Sequence, residues 1–505
     1  MKKYCLLLAG FMILQMTTVF AQKDSLKNLV PVTYTSKHSV RIDNKQISYT
    51  ATVGTIILKN SKDEPIARFG YTAYVKDGET DMSKRPLTFA YNGGPGSSSM
   101  WLHLGVIGPR RIVIDDPYYN GPAPYKVEDN NNSILDVSDI VLIDPVGTGL
   151  SRAVGKGKNE DFWQVDGDIS SVSSFIKAYI LQNDRFNSPK YLLGESYGTF
   201  RSAGVANYLQ DQLGISVNGI VLVSSVLDIR TLAFLPGDDL SYIVNLPTYA
   251  ATAWYHHKVP GNPANLQSFV DQARAFAAGP YAAALMKGEK LPAAEKENVL
   301  NQLEALTGIS KAYWNKADLR LTQPQFSQEL LRDSNQIVGR LDARYKAIAD
   351  NPLAENAYRD PQSDAISPAY ISAFLNYYYT DLKVSKEETY NTSAYELPGF
   401  HWDWKHNASN GLFGDAATPN TAPDLKMALT HNPHMKVMVL NGMYDLATPF
   451  YATEFTMDHL FLDKSIQNNI ILKYYEAGHM MYVHNSSAAA FKKDVAGFIT
   501  ANVKQ

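Results

Sequence analysis

The chain has 505 residues, of which 45% are hydrophobic and 19% charged, and its formal net charge is -3 at pH 7. This balance excludes a disordered or fibrous protein. Without a basic excess to attract phosphate groups, nucleic acid is not expected as a partner. The length predicts one large domain with a substantial insertion, or two domains.

The first 21 residues have the pattern of a signal peptide. Lys2 and Lys3 form a positive region, Tyr4–Met16 is mostly apolar, and Val19–Ala21 has the small residues that a signal peptidase recognises. The apolar stretch is shorter than the ~20 residues of a membrane span. We therefore expect cleavage after Ala21, against the alternative of an uncleaved membrane anchor. The mature protein is expected to be secreted or periplasmic, with no membrane partner.

The single cysteine of the chain, Cys5, lies within this N-terminal segment. After cleavage the mature protein would contain no disulfide, no thiolate nucleophile and no cysteine metal site. A chain of this length can rely on its hydrophobic core alone.

Strand-like and helix-like segments alternate through much of the chain. Val40–Val75 is rich in Val, Ile, Thr and Tyr and predicts antiparallel strands. Short apolar runs follow, as expected of parallel strands that are covered on both faces. These runs are Leu87–Tyr91, Ile140–Ile143, Tyr191–Leu193, Gly219–Val223, Met435–Leu440 and Ile470–Leu472. Helical periodicity occurs between or after them, over Ser171–Leu181, Thr199–Leu213 and Ala488–Val503. This alternation predicts an α/β doubly wound sheet.

The segment from Ile229 to Asp424 breaks the alternation. Its helix-like stretches are Leu266–Phe276, Ala293–Leu306 and Phe326–Ile337. We predict a mainly helical cap inserted between the sixth and seventh strands. The predicted parts are a signal peptide (1–21), a first core part (22–228), the cap (229–424) and a second core part (425–505). Trp402 and Trp404 either select substrate side chains or form the cap core.

Gly194–Gly198 fits the pattern G-x-S-x-G, with Ser196 as the candidate nucleophile. An apolar strand precedes the pattern and a helix follows, as a strained strand-to-helix turn requires. The glycines remove side chains that would collide in this turn, and the helix N-terminus directs N–H groups toward negative charge. The alternative is an ordinary helix-capping serine. The pattern predicts an α/β-hydrolase fold, with a mostly parallel central sheet, helices on both faces and the inserted cap.

The candidate acid and base follow the nucleophile in the order that this fold uses. Asp445 lies past the strand that ends at Leu440, and His479 lies past the final strand. A histidine in this position takes the serine proton, and the carboxylate fixes its tautomer. His484 and Asp228 compete for these roles, but the first lies beside the closing helix and the second precedes the cap.

Two backbone N–H groups are candidates for the oxyanion hole. One belongs to Tyr197, the residue after the nucleophile, and the other to Gly94, after the Leu87–Tyr91 strand. Gly93 and Gly94 allow a substrate to approach the backbone closely, so Gly93 is also a candidate substrate-binding residue. Each oxyanion donor stabilises a transition state by roughly 3–4 kcal/mol. The loop lacks the lysine and the glycine spacing of phosphate-binding turns.

Together these segments resemble the serine carboxypeptidase family. The matching pieces, in the family's order, are Asn92–Ser99, Asp144–Ser151, Gly194–Gly198, the Asp445 loop and Ala477–His479. The resemblance implies hydrolysis of the C-terminal peptide bond of a peptide substrate through an acyl-enzyme, with no metal and no other cofactor. It also implies that Asn92 and Glu195 bind the terminal carboxylate of the substrate. A glutamate beside a carboxylate must share a proton with it, and a preference for acidic pH would follow.

Three positions depart from the family's pattern. Ser97 replaces the usual cysteine, Val106 stands where a second carboxylate-binding glutamate is usual, and Ile134 replaces a tryptophan. The last two concern recognition of a free C-terminus, so an esterase, amidase or acyltransferase with the same triad is the alternative enzyme. A non-catalytic binding protein would show a broken triad. Arg110 or Arg111 either supplies a compensating charge or is solvated on a loop.

Overall fold

The computed structural model describes residues 29–261, 263–406 and 418–503. The predicted signal peptide, residues 1–21, lies outside these ranges. Within them, no helix has both the length and the apolar character needed to cross a membrane.

The described residues form alternating strands and helices along much of the chain. The strands are β1 (Thr33–Ile42), β2 (Lys45–Lys59), β3 (Pro65–Lys76), β4 (Leu87–Tyr91), β5 (Arg110–Ile112), β6 (Val127–Asp129), β7 (Asp139–Asp144), β8 (Arg152–Ala153), β9 (Lys190–Glu195), β10 (Gly219–Val223), β11 (Gln336–Val338), β12 (Lys346–Ile348), β13 (Lys436–Gly442) and β14 (Ile470–Tyr475). The helices are α1 (Met100–Leu102, continued by a π-helical turn, His103–Ile107), α2 (Val165–Gln182), α3 (Tyr197–Leu213), α4 (Leu240–Tyr255), α5 (Leu266–Phe276), α6 (Ala282–Lys287), α7 (Ala293–Thr307), α8 (Lys311–Lys316), α9 (Gln323–Glu329), α10 (Pro361–Thr380), α11 (Ala422–His431), α12 (Phe450–Asp458), α13 (Lys464–Gln467) and α14 (Asn485–Val503).

A ten-stranded sheet organises the fold, in the order β1-β2-β3-β7-β4-β9-β10-β13-β14, with β8 beside β3. Strands β1, β2, β3 and β7 pair antiparallel. All neighbours from β7 to β14 pair parallel. The carboxyl ends of parallel strands meet at one edge of a sheet, which is where such sheets bind ligands. The loops that follow β4, β9, β13 and β14 therefore converge at that edge.

Each parallel strand contributes side chains to two cores, because successive side chains point to opposite faces of a sheet. In β4, for example, Leu87 and Phe89 join one core and Ala90 joins the other. Helices α2, α3 and α11 cover the first face, and α10 and α14 cover the second. Burial on both faces explains why the sequence of these strands is almost wholly apolar.

Between β10 and β13 the described residues are mainly helical, from α4 to α11. Helices α4 to α9 build a third core, which includes Tyr249, Trp314 and Phe326. Tyr444 and Phe450, just after β13, also belong to this core, so the inserted helices pack on the loop that carries the candidate acid. The bounds 229–424 of the cap stay a prediction.

One predicted helix, Phe326–Ile337, is wrong in its second half. Helix α9 ends at Glu329, and Gln336–Val338 forms β11, which pairs with β12. A 3₁₀ turn, Arg332–Ser334, lies between the two elements and ends at Asn335, whose φ of 54° is a left-handed conformation that stops a helix. The β-branched Ile337 and Val338 then favour a strand.

Candidate active site

Ser196 lies between the end of β9 and the first residue of α3. Its φ of 59° and ψ of -129° are rare for a residue with a side chain and store backbone strain. The turn is held because Ser196 N–H donates to the Val223 carbonyl at 2.9 Å, and Thr199 N–H donates to the Ser196 carbonyl at 2.8 Å. A Cβ at Gly194 would lie 2.1 Å from the Gly198 carbonyl oxygen. The turn therefore requires the glycine of the G-x-S-x-G pattern at that position.

Asp445 and His479 lie in the loops after β13 and β14, and their side chains meet. His479 Nδ1 is 2.8 Å from Asp445 Oδ2. Thr448 Oγ1 donates to the same oxygen at 2.7 Å, and the N–H groups of Ala447 and Thr448 donate to Oδ1 at 2.9 Å each. These bonds satisfy the buried carboxylate and direct it at the imidazole.

The environment of His479 favours its protonated form. Burial lowers the pKa of His479, but the charge of Asp445 and their hydrogen bond outweigh it, so the pKa is raised. An Nδ1–H bonded to Asp445 leaves Nε2 free to accept a proton from a hydroxyl. His479 and Ser196 line one cavity of about 200 Å³. No hydrogen bond joins them in the described part of the chain, and such bonds commonly tighten when substrate binds.

The two competing candidates lie elsewhere. His484 Nδ1 is 2.9 Å from Ser487 Oγ at the start of α14. The Asp228 carboxylate accepts from Arg230 N–H at 3.0 Å and caps a short helical turn. Neither residue lines the cavity that contains Ser196.

The loop after β4 lies directly against the serine turn. A Cβ on Gly93 would lie 2.5 Å from Tyr197 N and 2.7 Å from the Glu195 carbonyl oxygen, so only glycine allows this approach. Gly94, with a φ of 109°, lines the cavity beside Ser196. Tyr197 is the first residue of α3, and a first-turn N–H has no acceptor within its helix. The two predicted oxyanion donors thus lie on adjoining segments.

A Gly93→Ala substitution is expected to lower kcat/KM for an ester substrate by roughly 10²–10³-fold, the effect of losing one oxyanion donor. The added Cβ would push the β4 loop away from Tyr197. Steady-state kinetics of ester hydrolysis measures the effect. Gly497→Ala is the matched control, because a Cβ there meets nothing within 4 Å. Activity of Gly93→Ala near that of wild type would show that the close approach is not needed.

Asn92 and Glu195 form a buried pair on the wall of the same cavity. Asn92 Nδ2 donates to Glu195 Oε1 at 2.9 Å, and Leu102 N–H donates to Asn92 Oδ1 at 3.0 Å. Glu195 Oε2 is buried and makes no hydrogen bond of good geometry among the described residues, but the Tyr482 hydroxyl, which is also buried, lies against this carboxyl. Burial raises the pKa of Glu195 to about 7, against the opposing charge of His479. This carboxyl is therefore protonated at acidic pH and can donate from Oε2.

Arg201, a fully buried residue of α3, fixes this part of the site. Its Nη1 donates to the Asn92 carbonyl at 2.9 Å and its Nε to Asp168 Oδ2 at 2.7 Å. Its guanidinium lies 5.1 Å from the Tyr91 ring centroid and 5.2 Å from that of Tyr197. Sequence reasoning missed Arg201, although an arginine within an apolar helix face was a usable signal.

Residues 340–343, within the segment inserted between β10 and β13, contact both the Asp445 loop and the His479 loop. The N–H of Leu446 donates to the Arg340 carbonyl at 3.0 Å, and the N–H of His479 donates to the Leu341 carbonyl at 2.6 Å. Gly478 N–H donates to Asp342 Oδ2 at 2.9 Å. No sequence signal pointed to this segment, because it has no periodic pattern and lies far from both loops along the chain.

The two tryptophans singled out in the cap pack on α3. The ring centroids of Trp402 and Trp404 lie 5.2 and 5.7 Å from that of Tyr197. Neither lines the cavity that contains Ser196. Their packing supports the first turn of α3, which carries the predicted oxyanion donor.

The residues at the departures from the family's pattern lie mostly outside the cavity. Val106 and Ile134 are fully buried in the core on the second face of the sheet. Arg110 pairs with Asp129 across β5 and β6, and Arg111 Nη2 donates to Asn485 Oδ1 at 2.7 Å. Neither arginine lines the cavity, so neither Arg110 nor Arg111 supplies a positive charge there in place of the missing glutamate.

Comparison with known proteins supports the predicted fold and the resemblance to the serine carboxypeptidase family. A family model described as serine carboxypeptidase matches residues 71–228, which include Asn92, Glu195 and Ser196 but not the acid and histidine loops. The pheromone-processing carboxypeptidase KEX1 of Yarrowia lipolytica is 28% identical over 158 residues, which are 31% of this chain and 24% of that protein. The chain thus matches about a quarter of the length of this curated relative. The resemblance to the serine carboxypeptidase family is confirmed.

The fold extends beyond the matched segment. The crystal structure of a prohormone-processing carboxypeptidase from Saccharomyces cerevisiae superimposes with a TM-score of 0.52 at 16% identity, covering 90% of this chain and 92% of that one. This likeness shows the fold, and the predicted α/β-hydrolase class is confirmed.

Proposed function

We propose that this chain is an exported serine carboxypeptidase that hydrolyses C-terminal peptide bonds through an acyl-enzyme on Ser196. The family resemblance supports the reaction class. The observation that carries the proposal is the buried Glu195 carboxyl, which lines the cavity of the nucleophile, accepts a hydrogen bond from Asn92 and adjoins the Tyr482 hydroxyl. Hydrolysis of an ester does not require such a group, whereas recognition of a terminal carboxylate requires a hydrogen-bond donor of this kind.

In the proposed reaction Ser196 Oγ attacks the carbonyl carbon of the last peptide bond while His479 Nε2 takes its proton. The N–H groups of Gly94 and Tyr197 stabilise the oxyanion. His479 then protonates the leaving amine, the C–N bond breaks and the C-terminal amino acid departs. A water molecule, deprotonated by His479, hydrolyses the acyl-enzyme and regenerates the serine. Asp445 holds the imidazole in the required tautomer throughout.

The test compares one N-blocked dipeptide as its free acid, its C-terminal amide and its methyl ester. Preferred cleavage of the free acid is the expected result. Cleavage of the ester or amide with the free acid untouched would instead identify an esterase, amidase or acyltransferase. Val106 is the observation in favour of this second candidate, because its buried apolar side chain leaves the cavity without a second glutamate.

The preference for the free acid is expected to fall as pH rises. Glu195, with a pKa of about 7, must be protonated to share a hydrogen with a carboxylate that is ionised throughout this range. The ratio of kcat/KM for the free acid to kcat/KM for the ester cancels the titration of His479. From about pH 6 to about pH 8 this ratio should fall roughly tenfold, following the protonated fraction of Glu195.

The matched control is Glu195→Gln, which keeps a hydrogen-bond donor but does not titrate. Its ratio of free-acid to ester activity should be independent of pH. If the ratio falls equally in wild type and Glu195→Gln, another group is responsible for the titration. If the wild-type ratio does not change with pH, Glu195 does not share a proton with the substrate carboxylate.

Export is proposed from the N-terminal pattern alone, since residues 1–21 lie outside the described ranges. N-terminal sequencing of the protein recovered outside the cytoplasm tests it, with Gln22 expected as the first residue. An intact Met1 on a membrane-bound protein would instead identify an uncleaved anchor.

A further inference from the structure

One cationic side chain on the cavity wall has no role in the reaction just proposed. Arg340 lines the cavity together with Ser196, Asn92, Glu195 and His479, and it is the one lysine or arginine among the described lining residues. Its side chain is exposed. Within the described part of the chain, no carboxylate oxygen lies within the 4.0 Å ion-pair distance of its guanidinium nitrogens.

The backbone that carries Arg340 is fixed relative to the catalytic residues. Its carbonyl accepts from Leu446 N–H, next to Asp445, at 3.0 Å. The carbonyl of the following residue, Leu341, accepts from His479 N–H at 2.6 Å. A side chain anchored between the acid and base loops reaches the cavity from a constant origin, and only its own torsions remain free.

The nearby half-buried acid, Asp360, does not neutralise this charge by a direct ion pair. Asp360, the residue that caps α10, uses Oδ2 to accept from Leu341 N–H at 3.1 Å and Oδ1 to accept from Gln362 N–H at 3.0 Å. The other polar groups that α10 adds to the cavity are the neutral hydroxyls of Ser363 and Ser367. The cavity that Glu195 lines therefore also presents a guanidinium that makes no ion pair with the described residues.

We propose that Arg340 binds the terminal carboxylate of the peptide substrate as an ion pair, together with Asn92 and Glu195. A guanidinium offers a planar pair of N–H donors that match the two oxygens of a carboxylate. Arg340 is then a specificity-determining residue that selects substrates with a free C-terminus, the role left open by valine at position 106. This inference rests on the proposed carboxypeptidase function. It names the cationic group that would bind the terminal carboxylate of the substrate.

The test is Arg340→Gln, assayed on the free acid and the methyl ester of the same N-blocked dipeptide. Loss of a charge-assisted hydrogen bond should lower kcat/KM for the free acid by ~10- to 100-fold, mainly through KM. Ester hydrolysis should change by no more than about twofold, since the ester has no anion to lose. Arg340→Lys should restore part of the free-acid activity. Arg110→Gln, whose arginine lies outside the cavity, is the matched control and should leave both activities unchanged.

Two results would overturn the role of Arg340. An equal loss on acid and ester would make it a structural part of the segment that holds the catalytic loops, and unchanged free-acid kinetics would remove it from recognition.

Failure of the proposed function gives a different result. If wild type hydrolyses the ester but not the free acid, carboxypeptidase action is wrong, and Arg340 is then tested by using the free acid as an inhibitor of ester hydrolysis. An inhibition constant raised ~10- to 100-fold in Arg340→Gln supports carboxylate binding, and an unchanged constant overturns it.

Discussion

Replacing Ser196 with alanine is expected to lower kcat for ester and peptide substrates roughly 10⁶-fold. The substitution removes the attacking oxygen but leaves the turn in place, because alanine meets the same backbone requirement as serine at a φ of 59°. The adjoining Gly93 and Gly198 contacts do not involve the hydroxyl. Residual turnover would reflect substrate positioning and the oxyanion donors alone. Labelling by a fluorophosphonate probe should disappear together with turnover.

Ser174→Ala is the matched control for this experiment. The hydroxyl of Ser174, on α2, donates to the Ser170 carbonyl at 2.8 Å and does not line the cavity. Turnover and labelling should equal those of wild type. A Ser196→Ala protein that still reacts with the probe would place the nucleophile elsewhere, and a non-catalytic binding protein would show no labelling in any variant.

Local patterns in the sequence predict those elements and candidate site residues whose positions depend on nearby residues. Strands β4 and β10 have the predicted bounds, since short apolar runs end at glycine or polar residues there. Ser196 was predicted as the nucleophile because strand, glycines and helix adjoin one another along the chain, and the structure places it in that turn. Asp445 and His479 could be predicted as the acid and base from their order along the chain and from their positions after strand ends. The placement of these residues depends on neighbours within a few positions along the chain, so a sequence pattern can predict it.

The opposite wall of the cavity depends on contacts that no local pattern records. Helix α10 contributes Ser363 and Ser367 to this wall, but it contains Pro368 and buries residues around much of its circumference, so it lacks an amphipathic signature. Asp342 and Gly478 meet although 136 residues separate them. Only the folded chain brings such groups together. For the same reason, the sequence did not indicate that Arg340 lies on the cavity wall.

The segment inserted between β10 and β13 is therefore bonded directly to the two loops that carry the candidate acid and base. Residues 340–343 accept from the backbone of both the acid loop and the histidine loop. Arg344 pairs with Asp342 at 2.6 Å and with Asp116 at 2.9 Å, and all three side chains are nearly buried. In the proposed mechanism, substrate recognition through Arg340 and orientation of His479 share this one support, so a change in residues 340–343 would affect both.

An Asp445→Asn variant is expected to lower kcat about 10⁴-fold with KM nearly unchanged, through the tautomer of His479. Oδ1 of Asp445 accepts from two backbone N–H groups, so the asparagine must keep its oxygen there. Its amide nitrogen then takes the place of Oδ2, 2.8 Å from His479 Nδ1, and donates to it. Nδ1 becomes an acceptor and the proton moves to Nε2. An imidazole in this form cannot take the proton of Ser196.

Steady-state ester hydrolysis and the rate of fluorophosphonate labelling should fall in parallel in Asp445→Asn, because both require the activated serine. Asp463→Asn is the matched control, since Asp463 is an exposed residue that caps α13 and its variant should match wild type. Turnover of Asp445→Asn within tenfold of wild type would mean that another group orients His479. Among the described residues, Thr448 is the one other side chain that hydrogen-bonds to both, at 2.7 Å from Asp445 Oδ2 and 3.2 Å from His479 Nδ1. A hydroxyl in that position can turn its hydrogen toward either partner, so it adjusts to the tautomer that the carboxylate imposes and cannot replace that carboxylate.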